Sequence, residues 1–401
     1  MQAELILLPG KERSPMRHHP WIFAGAVAKI KGRPTSGSTV TVLSDSGKFI
    51  GRAAYSPESQ IRARIWSWDE SEPIDHAFFK RKIAVAIAHR ERWIKNTTAV
   101  RLIFGEADGL PGLIVDQYEQ TLVCQFLSAG VEHWKEAIVS ILAEQTGCKQ
   151  IIERSDAAVR EREGLPQKTG SLLGDLPTTF LKATENGIQY LIDSLEGHKT
   201  GFYVDQRDNR NMVTELSKDK RVLNMFCYTG GFSLAALKGG AKEVVSVDSS
   251  GSALKIAQEQ VSLNQFDPAK AKWHDADAFE VLRQLRVTNE KFDVVVLDPP
   301  KFAPSSAHLA RAKKAYKDIN RTAMQLLEPG GLLFTFSCSG AMDAELFEET
   351  VAAAAVEAVS HMNQPRAAFR ILKRLSSGLD HPKLASFPEG DYLKGLLLER
   401  I

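Results

Sequence analysis

Arg221 to Asp248 reads RVLNMFCYTGGFSLAALKGGAKEVVSVD, and the rest of the chain is organised around it. Arg221 to Phe226 is a short apolar run, and Cys227 to Gly231 is broken by paired glycines. Phe232 to Lys238 has helical spacing, and Glu243 to Asp248 is a second apolar run. Strand, tight loop, helix and strand make one right-handed βαβ unit of a parallel sheet. The loop leaves the carboxyl end of its strand, where open α/β sheets bind ligands. Gly230 and Gly231 carry no β-carbon, so a ligand can lie against bare backbone there and the chain can take a positive φ. Asp248 ends the second strand, where a carboxylate can accept from both hydroxyls of a ribose.

A dinucleotide site would need G-x-G-x-x-G, and Y-T-G-G-F-S-L fits that pattern poorly. No G-x-x-x-x-G-K-[ST] phosphate cradle occurs anywhere in the chain. A cofactor with a ribose but no phosphate suits these residues, and S-adenosylmethionine is the one they imply. Its candidate contacts are Asn224, Phe226, Tyr228 and Gly230 at the first strand end, and Asp248 and Ser249 at the second. The bland alternative is an ordinary βα turn with a solvated strand end.

At 401 residues the chain predicts two or three domains, and 43% hydrophobic with 25% charged residues is the composition of a globular protein. The first residues show no basic leader and no apolar run of membrane length, which implies a cytoplasmic protein with no membrane partner. Cys124, Cys148, Cys227 and Cys338 are scattered without a C-x-x-C pair, so neither a disulfide framework nor a metal site is expected. Net charge is only +2, yet Met1 to Ser67 holds ten Lys or Arg against four Asp or Glu. A basic N-terminal module suits a phosphate-bearing partner, and a solvated basic face is the alternative.

In that module, runs at Ser38 to Leu43, Phe49 to Tyr55 and Ile61 to Trp68 are parted by Gly, Ser, Asp and Pro clusters, predicting a small barrel or sandwich. Arg62 and Arg64 alternate with apolar residues and should share one strand face, as candidate substrate contacts beside Arg13, Arg17, His18, His19 and Trp21. HPWIF and GKFIGRAAYSPESQIRARI resemble a PUA domain, a small RNA-binding β-barrel. The organisation expected is residues 1–70, then a middle α+β domain at 76–194, then an α/β domain at 195–401. The middle domain shows no catalytic constellation. From Leu195 onward strand and helix alternate as a doubly wound sheet requires, and the last two strands, with no helix between them, predict an antiparallel edge hairpin.

The fourth strand of that sheet, FDVVVLDPPKF, runs into Asp298-Pro299-Pro300. Two prolines stop the ladder and fix the backbone, holding Asp298 and Lys301 at the ligand edge. Asp277 follows the third strand and could accept from an adenine amino group, with Asp275 as its competitor and helix capping as the alternative. Gln206 and Arg207, in KTGFYVDQRDN (199–209), could reach a methionine carboxylate. Cys338, in FTFSCSG, emerges beside the strand that carries Asp298. Carbon 5 of cytosine is a poor nucleophile unaided, and a thiolate adding at carbon 6 turns it into an enamine that can accept a methyl group.

KTGFYVDQRDNR, VLNMFCYTGGFSL, VVSVDSS, FDVVVLDPPKF, YKDINRTAMQLLEPGG, TFSCSG and HP-x5-FPEGDYLKG resemble the RlmI family of S-adenosylmethionine-dependent 23S ribosomal RNA methyltransferases, over nearly the whole chain and in order. The resemblance implies a PUA, middle α+β and Rossmann-like layout, 5-methylcytosine as product, and 23S RNA or an assembling large subunit as partner. It implies Cys338 as nucleophile, Asp298 on the pyrimidine ring and Asp248 on the cofactor ribose. Many RNA cytosine methyltransferases carry a second cysteine after the proline of the fourth-strand motif; here Lys301 follows Pro300, so the base that removes the carbon 5 proton is not named by the sequence. Whether the protein forms a homodimer is left open. The rival enzyme reading methylates an exocyclic purine amine through Asp-Pro-Pro and an aromatic residue. The rival of another class is a non-catalytic RNA-binding assembly factor.

Overall fold

The computed structural model describes residues 3–303, 305–362 and 366–401. The chain divides into two compact units: Met1–Gly187 with Leu191–Asp205 and Gly378–Gly390, and Ile188–Tyr190 with Gln206–Ser377 and Asp391–Ile401.

The described residues of the first unit include a six-stranded sheet in the order Trp21–Phe23, Ile61–Ser67, Phe49–Tyr55, Thr39–Leu43, Glu4–Leu7, Val27–Lys31. Its strands alternate inward and outward side chains, and Leu5, Leu7, Val40, Val42, Ala53, Ala63 and Ile65 form its core. A five-stranded sheet comes next, in the order Lys168–Leu173, Gln150–Ser155, Thr121–Phe126, Leu113–Tyr118, Ala99–Phe104. Helices His76–Trp93 and Lys135–Thr146 supply much of its core through Phe78, Phe79, Ile83, Ile138 and Ile141. Asp75 caps the first of these helices, accepting from the Phe78 amide at 2.9 Å, and Gly147 ends the second with φ of 66°.

The segment 195–205 lies in the first unit, although alternation of strand and helix groups it with the α/β domain. Thr200 is the reason: its fully buried hydroxyl donates to Asp116 Oδ2 at 2.6 Å and meets the Tyr118 hydroxyl at 3.0 Å. Gly378–Gly390 is held in the same unit, where Asp380 accepts from the Arg101 amide and gives its carbonyl to Arg90.

The second unit carries a seven-stranded sheet among the described residues. Its strands are β1 (Arg221–Met225), β2 (Glu243–Asp248), β3 (Ala271–Asp275), β4 (Phe292–Leu297), β5 (Leu327–Ser337), β6 (Phe369–Leu375) and β7 (Lys394–Arg400), in the spatial order β3-β2-β1-β4-β5-β7-β6. The first five run parallel, and β7 lies antiparallel between β5 and β6. The helices are α1 (Arg207–Leu216), α2 (Gly231–Lys238), α3 (Gly251–Leu263), α4 (Ala278–Val287), α5 (Leu309–Gln325) and α6 (Ala344–Met362). Central strands β1 and β4 are almost wholly buried, as apolar runs covered on both faces should be. The expected edge hairpin is present. β5 reaches back to Leu327, which pairs with Phe292. Among the described residues no helix is long and apolar enough to cross a membrane.

Candidate active site

Register fixes what meets at the carboxyl edge. Met225 pairs with Val247 and with Leu297, Asp248 pairs with Asp275, and Leu297 pairs with Thr335. Asp275, Asp248, Phe226, Asp298 and Phe336 therefore stand level across five neighbouring strands, about 4.8 Å apart. Cys338 lies two residues beyond that level, just past the end of β5.

The loop after β1 has an unusual backbone. Phe226, Tyr228 and Gly230 have φ of 59°, 48° and 79°, so every second residue is left-handed. Two of the three carry side chains, which costs about 1–3 kcal/mol for each non-glycine residue so held. Asp248 helps to hold this shape: its Oδ2 accepts from the Tyr228 amide at 2.8 Å and its Oδ1 from the Ser250 amide at 2.9 Å. Gly230 takes the positive φ that its missing β-carbon allows, 79°, and a β-carbon there would also come within 3.0 Å of Ala257 and the Trp273 ring.

Asn224 needs a correction. Its buried amide donates to Ser233 Oγ at 2.8 Å, and Ser233 meets Ser246 Oγ at 2.7 Å. The side chain thus pins α2 to the sheet and does not join the edge. Ser249 is exposed beside Asp248. Asp277 is the N-cap of α4, accepting from the Glu280 amide at 3.0 Å; it and Asp275 are both exposed. Gln206 and Arg207 are buried at the start of α1, with Arg207 Nε 3.6 Å from Asp208 Oδ1. Gln206 reaches Asp298, donating from Nε2 to Oδ2 at 3.1 Å. Lys301 is exposed.

Cys338 is half-buried, whereas the other three cysteines are buried, and no disulfide joins any of them. Burial pushes the Cys227 and Cys124 thiols well up, which keeps both inert. The residues flanking Cys338 are tied down on both sides. Ser337 Oγ donates to the Tyr316 hydroxyl at 2.9 Å, and that hydroxyl meets Ser339 Oγ at 3.0 Å. Ser339 Oγ also accepts from the Ala303 amide at 3.2 Å, and the Ser339 carbonyl accepts from Lys394 Nζ at 2.9 Å. Burial raises the Tyr316 phenol above its ordinary range, so it stays protonated. Tyr316 and Lys394 were not singled out from the sequence. A lone lysine inside the apolar run YLKGLLL (392–398) was the available signal for the second; the first opens YKDINRTAMQLLEPGG, one of the stretches that carry the family resemblance.

An aromatic row lies under the edge. Phe226, Phe279, Phe302 and Tyr316 succeed one another with ring centroids 6.2, 5.7 and 4.8 Å apart. Phe226 and Phe279 are only partly buried and leave an apolar flank between Asp248 and Asp277.

In the first unit the two arginines part company. Arg62 is half-buried and bonds the Pro57 carbonyl. Arg64 is 5% exposed and held at 2.9 Å by both carboxylate oxygens of Glu163. A buried guanidinium satisfied by a carboxylate is not a contact for substrate, so the shared basic face is corrected to Arg62 alone. Arg13, Arg17 and His18 are exposed, with His18 stacked on Trp68 at 4.7 Å.

Residues 152–371 match the family model described as S-adenosylmethionine-dependent methyltransferase, and residues 5–68 match a PUA-like domain. The protein is thus an S-adenosylmethionine-dependent methyltransferase, and the residues present fit that cofactor. Each oxygen of Asp248 keeps acceptor capacity for a ribose hydroxyl, Asp277 keeps a second oxygen for an amine, and Phe226 with Phe279 offers an apolar flank for a base. A relative in Shewanella amazonensis is 50% identical over 399 residues, 99% of each chain, and one in Tolumonas auensis is 47% identical over 404 residues, covering all of both. Both are named Ribosomal RNA large subunit methyltransferase I. The chain belongs to this family. Among solved structures, a methyltransferase from Streptococcus mutans (TM-score 0.83) and one complexed with SAH (TM-score 0.85) match over the full length of both chains at 21% identity, a likeness of fold.

Proposed function

We propose that the protein methylates carbon 5 of a cytosine in 23S ribosomal RNA, free or in an assembling large subunit, through the sulfur of Cys338. The observation that carries this reading is the position of that sulfur. It is half-buried just past the end of β5, next to the strand that ends in Asp298, and one strand further from the β1 loop and Asp248. The names of the relatives support large-subunit RNA as the substrate.

The Cys338 thiolate adds to carbon 6 of the ring, breaking the carbon 5–carbon 6 double bond and placing its electron pair on carbon 5. The electron pair placed on carbon 5 is what takes up a methyl group; S-adenosylmethionine bound through Asp248 and Asp277 would supply that methyl from its sulfonium and leave as the neutral thioether. Loss of the carbon 5 proton to a base then re-forms the double bond and expels the thiolate. Asp298, oriented by Gln206, holds the ring. The ring must be unstacked, since sulfur approaches its face, so the target is unpaired or flipped out.

The three-part division at 1–70, 76–194 and 195–401 goes with this reading, the first part docking RNA with Arg62 as a contact and Lys301 serving the substrate at the edge. The site of action is the cytoplasm, where ribosomes are made. Methylation of an exocyclic amine is the weaker reading, because Lys301 stands between Pro300 and Phe302 and Cys338 would be left without a role. Cys338→Ala should abolish methyl transfer to ribosomal RNA while S-adenosylmethionine still binds by calorimetry, and mass spectrometry of the wild-type product should show 5-methylcytidine. Retained transfer by the variant ends the nucleophile assignment.

A further inference from the structure

Lys394 is 6% exposed and lies on β7 directly opposite Ser337. Its ammonium donates to the carbonyl of Ser339, the residue after Cys338. Among the described residues its only hydrogen-bond partner is that neutral carbonyl, with the Asp391 and Asp343 carboxylates acting on it without a hydrogen bond. Removing an ammonium from water with no directly bonded anion is costly. A fold that keeps one at the catalytic edge holds a positive charge ready for an anion that forms later.

We propose that Lys394 is a positioning residue for Cys338: its ammonium, anchored on the Ser339 carbonyl, favours the ionised sulfur before addition and again on expulsion. The inference rests on the reading of Cys338 as nucleophile. Other charges face the same place. Asp298 ends β4, Asp343 caps α6, Asp391 precedes β7, Lys301 follows the two prolines, and Tyr316 comes from α5. Burial pulls the Lys394 ammonium below the ordinary lysine range, Lys301 pushes it the same way, and Asp391, the Cys338 sulfur and Asp343 oppose that fall.

The test is the pH dependence of Cys338 alkylation by iodoacetamide, read by mass spectrometry of the peptide that contains it, in the full-length protein. Wild type should have a midpoint below the ordinary free thiol value of about 8.5. Lys394→Met and Lys394→Gln should raise the midpoint by roughly one pH unit or more, and Lys394→Arg should keep the wild-type value. An unchanged midpoint in both neutral variants overturns the proposal and leaves Lys394 as a peg for the Ser339 carbonyl. If neither neutral variant folds, the wild-type midpoint decides, because a value at or above about 8.5 also overturns it. The readout needs no methyl transfer, so it is separate from the Cys338→Ala assay: each can fail while the other stands.

Discussion

Gln206 and Asp298 are joined side chain to side chain at 3.1 Å, and Asn209 Nδ2 donates to Gln206 Oε1 at 2.6 Å, which fixes which end of the glutamine faces the aspartate. Gln206→Leu keeps the bulk and removes the donor. Single-turnover methyl transfer should fall by up to about 100-fold, because under the proposed function the Asp298 carboxylate holds the ring and would no longer be steered. Affinity for S-adenosylmethionine, measured by calorimetry, should change little. An unaltered single-turnover rate would show that Asp298 needs no such support.

Tyr316→Phe removes the hydroxyl that links Ser337 to Ser339 on either side of Cys338. Two buried serine hydroxyls lose a partner, so urea unfolding should show a loss of about 1–3 kcal/mol. Wild-type stability should also decline above pH ~10, since a phenol whose folded pKa is raised stabilises below its unfolded value and loses that contribution as pH rises through the folded one. Tyr316→Phe should be flatter over that alkaline range.

Arg64 and Glu163 form a buried pair, and removing one partner strands the other. Arg64→Ala should destabilise the protein by about 3–5 kcal/mol in chemical denaturation. Arg62→Ala should leave the denaturation midpoint nearly unchanged and weaken RNA binding, with a shallower dependence on salt in filter binding. Equal losses of RNA affinity at matched folding would restore Arg64 to the RNA surface.

Glu132 gives a pH signature. Burial pushes its carboxyl up, but hydrogen bonds from Lys135, Lys168 and Arg160 outweigh burial and bring it down to about 2. A depressed folded value stabilises above the unfolded value and is lost as pH falls through the folded one. Wild type should therefore lose stability between pH ~4.5 and ~2, a loss that Glu132→Gln lacks in that window, although the variant starts less stable at neutral pH. Parallel curves for the two proteins would rule out this contribution.

The fold was largely legible because β1, β2, β4 and β5 are apolar runs parted by helical spacing, and because nothing helical stands between β6 and β7. Asp248, Asp298 and Cys338 were readable for a related reason: each lies at the end of such a run, and strand ends on a parallel sheet share one edge. Asn224 misled because position in a strand does not say which neighbour fills the space beside it; Ser233 does. Arg64 misled because alternation gives a face without saying that Glu163, about a hundred residues on, covers it. Tyr316 was hidden on a helix whose inward side looks like any core-facing stripe.

The reversed direction of β7 also has a meaning for how the molecule is made. β6 pairs with β7 and with no other described strand, yet ribosomes synthesise it first. Until residues 394–400 have emerged, β6 has no partner and the slot beside β5 stands open. The same late segment delivers Lys394 to the residues around Cys338. A nascent chain that has already made the β1 loop and Asp298 would still lack this lysine, so translation supplies the β1 and β4 ends of the edge before it completes the surroundings of Cys338.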